Sequence, residues 1–159
     1  MKKTHCCPYF VMAELDSGNE DTFTVFKSEK SAREAFLKRA AEFGVKKAPN
    51  KDFIKADPYV RLYIRGFEAI EPDTGKMYLI VGYSEKDCIV HISGYSKEKT
   101  AEAELCHIAK ELAKTYGDDK ILGMSNQEII EELTYQELVV SDKDGRYIVF
   151  SMYESPVNE

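Results

Sequence analysis

Apolar and polar positions alternate strictly along residues 59–67, YVRLYIRGF, with Val60, Leu62 and Ile64 in one register and Tyr59, Arg61, Tyr63, Arg65 and Phe67 in the other. A period of two is the signature of a strand, whose successive side chains point to opposite faces. The pattern recurs in shorter form. PYFVMAEL (8–15) and TFTVFK (22–27) flank the turn-rich DSGNED and predict a hairpin. MYLIVGYS (77–84), reached from 59–71 through EPDTGK, and CIVHISGY (88–95) predict two further strands, and ELVVS, DKDG and RYIVFSMY close the chain as a second hairpin.

Between these runs the period changes to that of a helix. In SAREAFLKRAAEFG, Ser31 and Glu34 stand at capping-box spacing, Ala32, Phe36, Ala40 and Phe43 form one apolar face, and Gly44 is the stop. From Lys99 to Tyr116, Ala101, Leu105, Ile108, Leu112 and Tyr116 repeat at helical spacing, with Gly117 beyond the end. SNQEIIEELT (125–134) opens on a second capping box, Ser125 with Glu128, and predicts a short acidic helix. Residues 45–58, with two prolines and no period, read as a loop.

The predicted fold is therefore α+β, an antiparallel sheet of six or seven strands with two long helices on one face. The order also repeats. A shift of 69 residues sets FKSEKSA (26–32) on YSKEKTA (95–101) and pairs Glu29 with Glu98, Lys30 with Lys99, Ala32 with Ala101, Ala40 with Ala109 and Glu42 with Glu111. This register predicts an internal duplication of a ββα unit, with pseudo-repeats 8–71 and 77–140 inside a single domain covering 1–159.

A chain of 159 residues buries roughly two-thirds of its unfolded surface, enough to fold without a disulfide or metal. At 43% hydrophobic and 31% charged, the composition excludes disordered and fibrous classes. No apolar run has signal-peptide or membrane-spanning length, so a cytoplasmic location and no membrane partner are expected, with the four cysteines reduced. The net charge of −6 is unevenly spread. Residues 1–65 hold 13 Lys/Arg against 9 Asp/Glu, and residues 66–159 hold 9 against 19.

Two surfaces follow as candidate partner sites. The first is the strand face of Tyr59, Arg61, Tyr63, Arg65 and Phe67, extended by Lys46, Lys47, Lys51 and Lys55: rings stack on bases and guanidinium groups pair with phosphates. The same residue types also suit a solvated strand or a protein interface. The second is an acidic patch of Glu102, Glu104, Glu128, Glu131, Glu132, Glu137, Asp142 and Asp144, able to imitate a phosphate backbone or simply to keep helices soluble. A pI of 5.2 disfavours nucleic acid as the partner.

Chemistry-bearing motifs are scarce. His5, Cys6, Cys7, Cys88, His91, Cys106 and His107 are of metal-ligand type, but Cys88 and His91 on a strand face opposite ways, and the adjacent pairs diverge. No metal or cofactor is expected. There is no phosphate loop, GxSxG or HExxH, which leaves a thiol enzyme built on Cys106 and His107, or on Cys7, as the one enzymatic reading. The leading expectation is a non-catalytic protein-binding module, an acidic accessory protein of a phage or mobile element that inhibits a nucleic-acid-binding defence complex by occupying its surface. A single-stranded nucleic-acid binder using strand 59–67 is the alternative.

Overall fold

The computed structural model describes residues 6–46, 51–70, 72, 74–84, 88–135 and 137–159. The fold is α+β, with eight strands and four helices among these residues, and it divides into two compact units. The first comprises residues 1–77 and 155–159, the second residues 78–154.

In the first unit, β1 (Cys6–Asp16) and β2 (Thr22–Phe26) form the expected hairpin. Its turn is held by Asp16, whose Oδ1 accepts from the Gly18 N–H at 2.9 Å. Helix α1 (Glu29–Glu42) follows. It starts before Ser31, because Ser28 is extended (φ −131°, ψ 145°) and its Oγ accepts the Ser31 N–H at 3.1 Å, so Ser28 is the cap. The stretch read as a loop contains a three-residue strand, β3 (Phe53–Lys55), too short for any period to reveal. It pairs with β4 (Val60–Ile70), and β4 pairs along its whole length with β1. The strand order is β3-β4-β1-β2.

The expectation of a purely antiparallel sheet is corrected here. The last residues of β8 (Tyr147–Asn158) lie parallel to β2, with Val157 opposite Val25 and Asn158 opposite Phe26. The Lys27 N–H donates to the Asn158 carbonyl (2.9 Å), Ser155 Oγ to the Phe23 carbonyl (3.0 Å) and Asn158 Nδ2 to the Val25 carbonyl (3.1 Å), so side chains reinforce this parallel contact. The sheet is mixed.

Helix α1 packs Ala32, Phe36 and Ala40 on Ile54, Val60, Leu62 and Ile64, with Phe10, Met12 and Phe26 around them. Glu14 of β1 and Arg39 of α1 form a two-pronged ion pair across this packing, and Arg39 also stacks over the Phe43 ring at 4.8 Å.

In the second unit, β5 (Lys76–Ser84) and β6 (Ile89–Tyr95) pair antiparallel with a bulge at Gly82 and Tyr83. Helix α2 (Glu98–Tyr116) ends as expected at Gly117, which takes the left-handed conformation (φ 72°). A one-turn helix, α3 (Asp119–Leu122), is capped by Asp118, whose Oδ1 accepts from the Ile121 N–H and whose Oδ2 accepts from the Ser141 N–H. Both limbs of the expected capping box open α4 (Asn126–Tyr135): Glu128 N–H to Ser125 Oγ (3.2 Å) and Ser125 N–H to Glu128 Oε1 (3.3 Å). The hairpin of β7 (Leu138–Ser141) and β8 turns on Asp142, which accepts the N–H groups of Asp144 and Arg146 at 2.9 Å each.

The strand order of this unit is β7-β8-β5-β6. Its core gathers Leu105, Cys106, Ala109 and Ala113 of α2, Ile121, Ile129 of α4, Leu138, Val140, Phe150 and Ile80. Both units thus run hairpin, helical segment, hairpin, with the last strand of the second hairpin beside the first strand of the first.

Candidate functional site

Strand β4 keeps the predicted alternation but loses the open face. Tyr59 stands just before the strand and is 68% exposed, Arg65 is exposed, and Arg61 and Phe67 are half-buried, whereas Tyr63 is only 8% exposed. The pairing register explains why. Tyr63 lies opposite Ala13 on one side and Phe53 on the other, Arg65 lies opposite Val11, and Phe67 opposite Tyr9. Tyr9, Val11, Ala13, Phe23 and Val25 on this face are all buried, so it is not an open face. The Tyr9 and Phe67 rings stack at 6.0 Å, and the Phe53 ring sits 4.8 Å from Tyr63. The stripe is therefore interrupted at its centre, and alternation alone could not reveal it, since the strand neighbours of Tyr63 lie about 50 positions away in sequence or on an unpredicted strand.

What remains accessible is a depression of about 440 Å³ whose lining includes Phe53, Tyr63, Arg65 and Gly66 with Arg33 of α1. Gly66 faces the Phe10 ring, which a Cβ there would meet at 3.2 Å. Arg33 is already engaged, donating to the Lys51 carbonyl and to Asp52 Oδ1 at 2.8 Å. Lys46, Lys51 and Lys55 are exposed, and Lys47 lies outside the described residues.

The acidic residues sort by their partners. Glu128 is a cap, Asp142 organises the last turn and lies 3.8 Å from Arg146, and Glu132 lies 3.6 Å from Lys120. Glu104, Glu137 and Asp144 are exposed. Glu102 and Glu131 differ in kind, because they belong to one groove of about 570 Å³ between α2 and α4. Its lining alternates chemistry: Lys99 and Glu102 from α2, Gln127 and Glu131 from α4, over Ala103, Cys106 and Ile130. Gln127 Nε2 donates to Glu131 Oε1 at 3.1 Å and Lys110 to Asn126 Oδ1 at 3.0 Å, which fixes the α4 side. The sequence singled out both carboxylates but missed Ile130 and Ala103, since the adjacent Ile129 takes the core position and only the crossing of the helices gives Ile130 a surface to line.

The thiol and imidazole groups do not come together as a nucleophile and base. Cys106 is 2% exposed and its thiol donates to the Asn126 carbonyl at 3.6 Å, while His107 is exposed on the next helical position. Burial raises the Cys106 pKa, opposed by Lys110 and aided by Glu102, so the thiolate that nucleophilic chemistry needs is disfavoured. Cys6 and Cys88 are exposed and Cys7 is half-buried. His91 is half-buried, its Nε2 2.9 Å from Ser93 Oγ, and desolvation lowers its pKa. Among the described residues no three His, Cys, Asp or Glu side chains form a metal-ligand group, and His5 lies outside them. No helix of the described residues is long and apolar enough to cross a membrane.

Comparison with known proteins finds no matching family model, no matching curated protein and no matching solved structure.

Proposed function

We propose that this protein is a non-catalytic protein-binding module that acts by occupying the surface of a basic partner, with the second unit as its contact. One observation carries the reading: Glu102 and Glu131, from different helices, line one groove together with the apolar Ala103 and Ile130. Two carboxylates against the single ammonium of Lys99, beside apolar side chains, suit a segment that presents Lys or Arg around a hydrophobic anchor. Charge supports it too, because the second unit holds 8 Lys/Arg against 15 Asp/Glu and the first 14 against 13. In this reading the carboxylates take the place of phosphates on a nucleic-acid-binding partner, the mode of action of an inhibitor of a defence complex encoded by a phage or mobile element.

The second reading, a single-stranded nucleic-acid binder, rests on the exposed Phe53 ring and Arg65 beside the first-unit depression. It is weakened by the burial of Tyr63. A thiol enzyme is weakened by the burial of Cys106.

We also infer that the two units descend from one repeated segment. The shift of 69 residues carries Ser28, the cap of α1, onto Lys97, the cap position of α2, and the two units share one strand order.

The functional reading is tested by capture of partners from host lysate with and without nuclease. A basic protein retained after nuclease is the expected result; nucleic acid recovered with the chain, and all proteins lost on nuclease treatment, would favour the second reading.

A further inference from the structure

On the reading of the acidic groove as the contact surface, on which this inference rests, we propose that its occupant is an amphipathic α-helix of the partner, with a short apolar stripe and a Lys or Arg on each flank of it. The groove lies between two rows of side chains at helical spacing: Lys99, Ala103 and Cys106 on α2, at i, i+4 and i+7, and Asn126 and Ile130 on α4, at i and i+4. Every residue of the lining belongs to one of these two helices, so the groove includes no strand edge. The Asn126 carbonyl is engaged as well, accepting the Cys106 thiol at 3.6 Å. Past its first turn a helix spends its backbone N–H and C=O groups on itself, and such walls have little to offer an extended segment, whose own donors and acceptors would go unpaired. A helix arrives with those groups satisfied, and its ridge of side chains fits the groove between two others.

Charge decides what that helix carries. Each of the two apolar residues has a carboxylate as its chain neighbour, Glu102 beside Ala103 on α2 and Glu131 beside Ile130 on α4, so both walls are acidic next to the apolar contact. Glu131 accepts from the amide of Gln127 at 3.1 Å, which does not neutralise it. A cation on each flank of the apolar stripe answers one carboxylate on each wall, as charges flanking an apolar seam do between paired helices. Along α2 the charged groups run Lys99, Glu102, Lys110, the last held by Asn126 Oδ1 at 3.0 Å. The occupant therefore concentrates its cations beside the apolar stripe, because further out along α2 they would meet ammonium groups.

The test is fluorescence anisotropy with the full chain and a labelled peptide about four helical turns long, built of Ala, Leu and Lys in this pattern and locked by a lactam bridge on its outer face. A second peptide carries Pro at a central Ala, which breaks the helix. The expected result is that the locked helix binds about tenfold or more tighter than the Pro peptide, and that a Glu102→Gln, Glu131→Gln variant, shown folded by its thermal melt, binds it about tenfold more weakly than wild type. Amide chemical shifts of the wild type supply a readout independent of any variant, with movement expected at 99–106 and 126–131. Equal affinity for the two peptides, no loss in the folded variant, shifts confined to other elements, or no binding up to millimolar concentration overturns the helical occupant. Failure of the underlying reading looks different: capture from lysate then yields no basic protein held through Glu102 and Glu131. A captured basic protein that the Pro peptide displaces as well as the locked helix does leaves that reading standing and removes the helix.

Discussion

The Cys106 thiol of α2 donates to the carbonyl of Asn126, the first residue of α4, at 3.6 Å. The contact ties together the two helices that flank the acidic groove, and it hides the thiol. Alkylation of the native protein is expected to label Cys6 and Cys88 and to spare Cys106 until the chain is unfolded, as read by mass spectrometry of digests. Labelling of native Cys106 at the rate of Cys88 would restore the thiol-enzyme reading.

Gly82 marks a place where β5 has no room for a side chain. A Cβ there would lie 3.1 Å from the Phe150 ring, 3.2 Å from the His91 Cβ and 3.4 Å from Ile148. Phe150 is buried in the second-unit core and cannot step aside. Gly82→Ala is expected to lower stability by about 1–3 kcal/mol in urea unfolding. Gly66→Ala meets only the partly buried Phe10 ring and should cost less.

Arg39 and Glu14 join α1 to β1 through paired hydrogen bonds, and Glu42 adds a third contact. Glu14, and after it Glu42, holds the Arg39 guanidinium even more firmly protonated than usual. Because the Arg39 side chain is 38% exposed, Arg39→Ala is expected to cost only about 1 kcal/mol in the same assay, and Arg39→Lys, which loses the fork, most of that.

Burial holds His91 neutral, with a pKa below the ordinary 6.5. As pH falls through about 6.5 the unfolded chain takes up the proton first, and stability declines until the pH drops below the folded-state value. His91→Gln is expected to remove this part of the pH dependence in melts recorded between pH 7.5 and 5, leaving the carboxylate-driven loss at lower pH.

Local signals in the sequence were legible where a residue acts on its own neighbours. The capping box of Ser125 and Glu128, the Gly117 stop and the alternation of β4 depend on spacings of a few positions, and all appear in the fold. The α1 cap moved to Ser28 because two serines three apart competed for one role, and Ser28 has the extended backbone that a cap needs. What depends on distant pairing was not legible. Tyr63 has Ala13 and Phe53 as its cross-strand neighbours, the parallel contact of β8 with β2 joins residues more than 130 apart, and the groove is lined from both α2 and α4.

The most direct test of the account is a side-by-side capture from host lysate, after nuclease, with wild type and a Glu102→Lys, Glu131→Lys double variant of matched thermal stability. The account predicts a basic protein that wild type retains and the double variant loses. Equal retention by both, or a partner that is instead lost when Arg61 and Arg65 become Ala, would contradict it and move the contact to β4.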